Sequence, residues 1–233
     1  MKLPSHRIKG TFVRRLNRFA ATVTQRGKPV VVHVANSGRM RELLRAGATV
    51  YLRKASNAER KTGYDLSLVQ LGKTIVSVDS SLPGKLLLEA FKAKGLPQFH
   101  DFSEARAEMT YEDRRLDLLF TGRGGKCYVE TKSVTLVRRG VAIFPDAPTE
   151  RGRKHLGTLA HAKRAGHRAA VVFVIQRPDA IRFRPNEQTD PDFCKALRSA
   201  IANGVEAYAY ACDVSTREVS LSQEVEVSLH KGN

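Results

Sequence analysis

The sequence changes character near residue 81, and this change limits the folds that the chain can adopt. Turn-forming residues at positions 80–84 separate two parts with different residue patterns. The first part is rich in short β-branched runs, whereas helical and strand patterns alternate in the second. The 233 residues are enough for two domains. We therefore predict one domain over residues 1–81 and another over residues 82–233.

The first part predicts a small β-barrel. We expect strands within residues 11–24 and over residues 29–35, 48–52, 64–71 and 74–78, with a helix over residues 37–44 capped by Ser37. About five short strands and one helix in fewer than a hundred residues are typical of an OB-fold.

The second part predicts a mixed α/β layer fold. Its apolar spacing indicates helices over residues 83–94, 150–165 and 191–202. Strands are predicted over residues 105–111, 115–121, 127–136, 141–144, 169–175 and 205–212. The fold class of the whole chain is therefore α/β, or α+β when the barrel is counted.

The charge of the chain points to a polyanionic partner. There are 40 Lys and Arg against 23 Asp and Glu, and 16 of the basic residues but only 4 of the acidic ones lie in residues 1–81. A positive field of this kind attracts nucleic acid and releases counterions when phosphates bind. The alternative is that the charge serves solubility alone.

The sequence does not fit a membrane protein or a protein stabilised by disulfides. The longest apolar run, residues 169–175, is far shorter than the roughly 20 residues of a membrane span, and no hydrophobic leader follows the basic N-terminus. Three cysteines without a CxxC spacing favour neither a disulfide framework nor a zinc site. We expect a cytoplasmic protein with no membrane partner.

Three charged residues on two neighbouring predicted strands form the strongest candidate for a catalytic site. Asp117 lies on one strand, and Glu130 and Lys132 lie two positions apart on the next, so both point to one face. Two carboxylates suit Mg²⁺ or Mn²⁺, which lowers the pKa of bound water, and a lysine stabilises charge that develops on a phosphate. We predict Asp117 and Glu130 as metal ligands, Lys132 as a catalytic residue and Glu89 as a further carboxylate. The alternative is a solvated cross-strand ion pair.

The D-x(12)-E-x-K spacing of these residues resembles that of the PD-(D/E)XK nucleases. The apolar neighbours of Asp117 and Glu130 favour a functional interpretation, because an idle charge among apolar side chains is costly. The resemblance also implies that Gln176, at the end of a buried strand, belongs to the site.

A second constellation lies at the predicted start of a helix near residue 150. Thr149 is a good N-cap, and cations in the first turns oppose the helix dipole, so an anionic ligand explains them better than stability does. A solvated basic face is the alternative. The residues that we predict to bind nucleic acid here are Thr149, Arg151, Arg153, Lys154 and His155.

Basic and turn residues of the first part form a third candidate surface. For Asn36, Ser37 and Gly38 the alternative is a purely structural role in a turn and helix cap. Phe12, Phe19 and Tyr51 are either base-stacking or core residues. The residues that we predict to bind nucleic acid here are Arg14, Arg15, Arg18, Asn36, Ser37, Arg39, Arg41, Arg53, Lys54, Arg60 and Lys61.

Taken in order, several segments resemble the sugar fermentation stimulation protein A family. They are residues 12–19, 33–40, 60–66, 115–119, 128–136, 144–156 and 172–177. The resemblance implies an N-terminal OB-fold followed by a PD-(D/E)XK-type domain, with DNA binding and a link to the regulation of sugar (maltose) metabolism genes. It also implies that Asp117, Glu130 and Lys132 form the nuclease-like site.

Two main hypotheses follow. The first is a DNA-binding, magnesium-dependent nuclease of endo- or exonuclease type, and the second is a regulator that binds DNA without cleaving it and largely without sequence preference. RNA is an alternative polymer, because OB-folds and basic clefts accept either nucleic acid.

Overall fold

The first sheet is a closed barrel with one additional strand. The structure is a computed structural model that describes residues 1–3, 7–55 and 60–229. Its first six strands are β1 (Arg7–Asn17), β2 (Ala20–Gln25), β3 (Lys28–Val34), β4 (Thr49–Lys54), β5 (Tyr64–Leu71) and β6 (Thr74–Ser77). They are ordered β3-β2-β1-β4-β5-β6, and a parallel pairing of β3 with β5 closes the first five into a barrel. Inward-facing apolar residues such as Val23, Leu52 and Leu66 fill its core.

The rest of the chain forms a six-stranded mixed sheet and a small four-stranded one. The strands are β7 (Phe102–Tyr111), β8 (Arg114–Gly122), β9 (Gly125–Val134), β10 (Val137–Arg138), β11 (Val141–Phe144), β12 (Arg168–Ile175), β13 (Arg182–Pro185), β14 (Glu206–Val214), β15 (Val219–Glu224) and β16 (Glu226–Val227). The large sheet is ordered β15-β14-β12-β9-β8-β7, and the small one β10-β11-β13-β16. β12 is parallel to both β9 and β14, so its residues are buried on both faces.

In the described residues, three α-helices cover the large sheet: α1 (Pro83–Lys92), α2 (Glu150–Arg164) and α3 (Pro191–Ala202). Leu86 and Leu87 of α1 pack with Val129 of β9 in one apolar cluster. Leu159 of α2 and Leu197 of α3 belong to the cluster on the opposite face. The predicted fold class, an OB-like barrel followed by a mixed α/β domain, is therefore confirmed.

The largest error of the predicted secondary structure is the helix over residues 37–44. The structure has turns there, with Met40 in the left-handed region at φ 48°. The backbone N–H groups of Arg39 and Met40 donate to the two carboxylate oxygens of Asp146, at 2.6 and 2.7 Å. These groups therefore find a partner 106 and 107 residues away instead of within a helix.

All three cysteines are buried and free. None of the helices in the described part of the chain is long and apolar enough to cross a membrane.

Candidate metal site in a basic cleft

A cleft of about 1410 Å³ lies between the barrel and the large sheet. Its barrel wall includes Arg18, Arg39 and Arg41, and its other wall includes Lys85 of α1 and Arg151 of α2. These five side chains are cationic, and four carboxylates also line the cleft: Glu108, Asp117, Glu130 and Asp146. An open cleft of this size exceeds the roughly 300–1,000 Å³ of small-molecule pockets, so it suits a polymer.

The structure brings Asp117, Glu130 and Lys132 together in this cleft. The β8–β9 ladder pairs Leu118 with Val129, which places Asp117 at the end of the ladder, beside Glu130 and Thr131. The Asp117 Oδ2 atom accepts hydrogen bonds from the backbone N–H of Thr131 at 2.8 Å and from its hydroxyl at 2.5 Å. These bonds fix the direction of the Asp117 carboxylate.

Glu130 lies at the centre of a buried charged cluster. Its Oε1 accepts a bond of 2.5 Å from the Lys132 ammonium and a second bond from Nδ1 of His155 on α2. Glu130, Lys132 and His155 are 4%, 9% and 6% exposed, respectively. Because alternate residues of a strand share a face, Glu130 and Lys132 lie on the side of β9 that faces α2.

Each carboxylate of the site has one oxygen in use and one that is free. Asp117 Oδ1 and Glu130 Oε2 have no hydrogen-bond partner among the described residues, and Glu130 Oε2 is buried. A buried carboxylate oxygen without a partner is costly unless a ligand satisfies it. Two free carboxylate oxygens fit a hard divalent cation, which binds through one or two carboxylates and keeps several waters.

The electrostatic environment pushes the pKa values of the two carboxylates apart. Burial raises the pKa of Asp117, and the nearby Glu130 charge raises it further, although the Thr131 bonds act against this. Burial also raises the pKa of Glu130, but Lys132 and His155 outweigh it, so this pKa is lowered. Two neighbouring carboxylates with opposite shifts are a feature of functional sites.

The structure places Glu89 outside the cleft, so the predicted role of a further carboxylate of the site does not fit its position. Its side chain is 56% exposed and pairs with the N-terminal amine of Met1 at 3.0 Å, beside a separate pocket. On α1, it is Lys85 and Leu88 that face the cleft. Although Glu89 is four residues after Lys85, its carboxylate pairs with the Met1 amine and does not line the cleft.

Gln176 is also not free to act on a substrate. It is fully buried, its Oε1 accepts from the Ser77 hydroxyl, and its Nε2 donates to the Asp79 carbonyl and to the Ser133 hydroxyl. These bonds tie the end of the barrel to β9 and β12. Gln176 therefore holds the two parts together, and its predicted catalytic role does not fit its contacts.

Several predicted nucleic-acid contacts of the barrel are occupied within the protein. The Arg15 guanidinium donates to four backbone carbonyls, those of Arg18, Asn36, Gly38 and Arg39. The Asn36 side chain bonds the backbone of Gly38 and Val78. Arg15 and Asn36 thus shape the cleft wall, whereas Ser37, Arg18, Arg39 and Arg41 line it with exposed side chains.

Other predicted contacts of the barrel lie outside the cleft. Arg53 and Arg60 both bind the buried Asp65 at 2.9 Å, so both guanidinium groups are engaged within the barrel. Three further predicted residues are exposed but do not line the cleft: Arg14, Lys54 and Lys61. Of the aromatic candidates, Phe12 belongs to the core, Tyr51 is half-buried and Phe19 is 50% exposed.

The predicted nucleic-acid contacts at the start of α2 point in two directions. Thr149 caps the helix, because its hydroxyl accepts from the Gly152 N–H at 3.0 Å. Arg151 and His155 face the metal site, whereas Arg153 bonds Asp190 at 3.0 Å and Lys154 pairs with the exposed Glu150 at 2.5 Å. The predicted phosphate-binding role thus fits Arg151 but not Arg153 or Lys154, and His155 is too deeply buried to contact a phosphate.

Sequence reasoning missed Lys85, Thr131 and Asp146. Lys85 lines the cleft, Thr131 holds Asp117, and Asp146 joins the second part of the chain to the barrel. Lys85 and Leu88 are three residues apart in a predicted helix and therefore share a helix face, which is the sequence signal that Lys85 carried. The role of Asp146 depends on a contact across more than a hundred residues, which no local pattern shows.

The fold and the cleft define a protein in which an OB-like barrel and a mixed α/β domain share one basic site. Family models agree: residues 13–78 match the SfsA N-terminal OB domain, and residues 81–218 match the sugar fermentation stimulation protein RE domain. The chain therefore belongs to the sugar fermentation stimulation protein (SfsA) family, as its sequence predicts.

Relatives and a solved structure support this assignment. The sugar fermentation stimulation protein homolog of Moorella thermoacetica is 47% identical over 231 residues, which cover 98% of this chain and 100% of that protein. The homolog of Thermoanaerobacter pseudethanolicus is 45% identical over 223 residues, 95% of this chain and 97% of that one. The structure of Pyrococcus furiosus SfsA in complex with Ca²⁺ matches with a TM-score of 0.89 and 29% identity, over 98% of this chain and 99% of that chain.

Proposed function

We propose that this protein binds DNA in the basic cleft and hydrolyses phosphodiester bonds there with a divalent cation, Mg²⁺ or Mn²⁺, at Asp117 and Glu130. One observation carries the proposal: each of the two carboxylates has a free oxygen in a cationic cleft, where Lys132 is bonded to Glu130. The Pyrococcus furiosus SfsA structure is a complex with Ca²⁺, which supports the binding of a divalent cation in this family.

The residues of the site have distinct tasks in this proposal. Asp117 and Glu130 would hold the cation, which when bound lowers the pKa of a coordinated water and neutralises phosphate charge. Lys132 lies 2.5 Å from Glu130 and provides a positive charge to orient the attacking water and stabilise the negative charge that develops on the phosphate. Arg18, Arg39, Arg41, Lys85 and Arg151 bind the flanking backbone phosphates.

A cleavage assay tests the proposal. Purified protein is incubated with labelled single- and double-stranded DNA and with matched RNA, each with Mg²⁺ or Mn²⁺. We expect cleavage of DNA that disappears with EDTA and in Asp117→Ala, and that falls about 10²–10³-fold in Lys132→Ala. Asp113→Asn, which removes an exposed carboxylate of the same hairpin, is the matched control. Intact substrates under all conditions contradict the nuclease proposal.

A second candidate function is DNA binding without cleavage. It is favoured by the cationic side chains on both walls of the cleft, which are sufficient to bind a nucleic-acid backbone without a metal ion. A regulator of sugar metabolism genes, which the family resemblance implies, needs only this binding. Steeply salt-dependent binding by Asp117→Ala, with no cleavage by the unsubstituted protein, supports this candidate.

A further inference from the structure

A chain of hydrogen bonds leads from the cleft surface to the metal site. Arg151 Nε donates to His155 Nε2 at 3.3 Å, and His155 Nδ1 is bonded to Glu130 Oε1. Arg151 and His155 are four residues apart on α2 and therefore lie on the same face of the helix. These hydrogen bonds thus connect an exposed arginine with a buried carboxylate through one imidazole.

The arginine decides which nitrogen of His155 carries the proton. An arginine N–H only donates hydrogen bonds, so His155 Nε2 must be the accepting nitrogen. The ring proton is then on Nδ1, where it is donated to Glu130 Oε1. The contact of 3.4 Å between Lys132 Nζ and His155 Nδ1 consequently joins two donors and is not the bond that orients the ring.

The His155 bond has a direct consequence for the two oxygens of Glu130. Oε1 receives both donors, from Lys132 and from His155, while Oε2 receives none from the described residues. Histidine ligands of metals are commonly oriented by a carboxylate on their second nitrogen, and here the same kind of contact orients a carboxylate. The buried imidazole keeps the free oxygen in one position.

Arg151 retains free donors after this contact. It is exposed, it lines the cleft, and its terminal nitrogens have no partner among the described residues. The other cations of the first two turns of α2, Arg153 and Lys154, are engaged with Asp190 and Glu150. Of these three cations, Arg151 alone lines the cleft and lacks a carboxylate partner in the part of the chain described.

We propose that His155 and Arg151 are positioning residues of the metal site: His155 holds Glu130 with one oxygen free for the cation, and Arg151 fixes the His155 tautomer while its terminal N–H groups contact a substrate phosphate. This inference rests on the proposed function, because it assigns a task relative to the same cation. It predicts that metal affinity depends on the donor at the Nδ1 position of residue 155.

Calorimetric titration of the full-length protein with Mn²⁺ and with Ca²⁺, in the absence of substrate, tests the role of His155. An asparagine amide occupies the place of the histidine Nδ1, whereas leucine has no donor. We expect His155→Leu to weaken cation binding by about 10–100-fold and His155→Asn to stay within about threefold of the unsubstituted protein. If His155→Leu fails to fold, His155→Gln replaces it, since its amide lies near the Nε2 position instead.

Arg151→Ala tests the other end of the hydrogen-bond chain, at the cleft surface. Its affinity for a DNA oligonucleotide, measured with Ca²⁺ present, is expected to fall, and the slope of log affinity against log salt to decrease by about one. The control is Arg164→Ala, which removes an exposed cation from the last turn of the same helix and should leave both measurements unchanged. An unchanged slope in Arg151→Ala overturns the phosphate contact.

The outcomes separate this inference from the proposed function. Unsubstituted protein that binds the cation, together with a folded His155→Leu variant that binds it equally well, overturns the role of His155 and leaves the proposed function standing. Equal losses in His155→Leu and His155→Asn also overturn it, because the Nδ1 donor is then not the cause. An unsubstituted protein that binds neither Mn²⁺ nor Ca²⁺ overturns both.

Discussion

Asp65 gathers three basic side chains around one buried carboxylate in the barrel. His33, Arg53 and Arg60 lie 3.1, 2.9 and 2.9 Å from its oxygens. Burial raises the pKa of Asp65, but the bonds from Arg53, Arg60 and His33 outweigh it, so the pKa lies below its ordinary value. The two arginines therefore stabilise the barrel.

The lowered pKa of Asp65 predicts how stability changes with pH. The ionised form is favoured in the folded state, so its contribution is present above the ordinary pKa of about 4 and is lost as the pH falls through the lower folded value. We expect Asp65→Asn to lower the free energy of unfolding at pH 7, with a smaller difference at pH 3. Denaturant unfolding at both pH values measures this, with the exposed Asp113→Asn as control. A difference that is equal at both pH values contradicts the prediction.

Gln176 gives a second prediction for a single residue. Replacing it with leucine leaves the Ser77 and Ser133 hydroxyls and the Asp79 carbonyl without this partner. We expect a loss of about 1–3 kcal/mol for each buried group that stays unsatisfied, measured by denaturant unfolding. The folded fraction should still bind Mn²⁺, because Gln176 does not line the cleft. Gln223→Leu, at an exposed position of β15, should change stability little.

At the scale of elements, local patterns predicted most of the fold. The observed bounds of β11 and α3 agree with the prediction, and α3 has the Asp190 cap and the proline at its start that such patterns require. The segment over residues 37–44 was mispredicted because Asp146 binds its N–H groups from a distant part of the chain. β13 was missed because it has only four residues, two of them arginine and one proline.

The candidate site was also predicted only in part, because some of its features depend on tertiary contacts. Period-two alternation places Glu130 and Lys132 on one face, and the adjacent strand brings Asp117 to them. The direction of Glu89 and the division of cations between Arg151 and Arg153 depend on tertiary partners, Met1 in the first case and Asp190 in the second. Sequence therefore predicted which elements meet but not which charges are already paired.

The β1–β2 turn presents Phe19 next to the cleft. Its backbone N–H donates to Asn17 Oδ1 at 2.8 Å and its carbonyl accepts from Val34 at 2.9 Å, while the ring stays half exposed. The neighbouring Asn17 and Arg18 line the cleft. An exposed aromatic ring on a hydrogen-bonded turn beside a basic cleft suits stacking on an unpaired base.

We expect Phe19→Ala to weaken binding of single-stranded DNA by about 1–3 kcal/mol and to affect duplex binding less, because duplex bases are already stacked. Fluorescence anisotropy with a labelled oligonucleotide and its duplex measures both affinities. Val31→Ala, at a similarly exposed apolar position of β3, is the control. Equal effects on the two substrates contradict a stacking role.

At the scale of the whole molecule, the two walls of the cleft contribute cations from different parts of the chain. Arg41 belongs to the barrel wall and Lys85 to α1. Phosphates bound along the cleft release counterions in proportion to the contacts made. Binding is therefore expected to depend on both walls.

The double variant Arg41→Ala with Lys85→Ala tests this dependence. We expect the slope of log affinity against log salt to decrease by about one for each lost contact, for a DNA of any sequence. Lys73→Ala with Lys195→Ala removes the same charge from exposed positions outside the cleft and should lower the slope much less. A similar decrease in both double variants indicates that only net charge matters.

The link made by Asp146 constrains how the two units can be recombined. Its carboxylate holds the Arg39–Met40 backbone of the barrel, so the geometry of one cleft wall is set by a residue of the other. A chimera that grafts the barrel of one relative onto the α/β unit of another would keep a usable groove only if the transplanted turn suits the recipient's aspartate. Barrel and partner are therefore expected to be exchangeable as a matched pair and not as interchangeable modules.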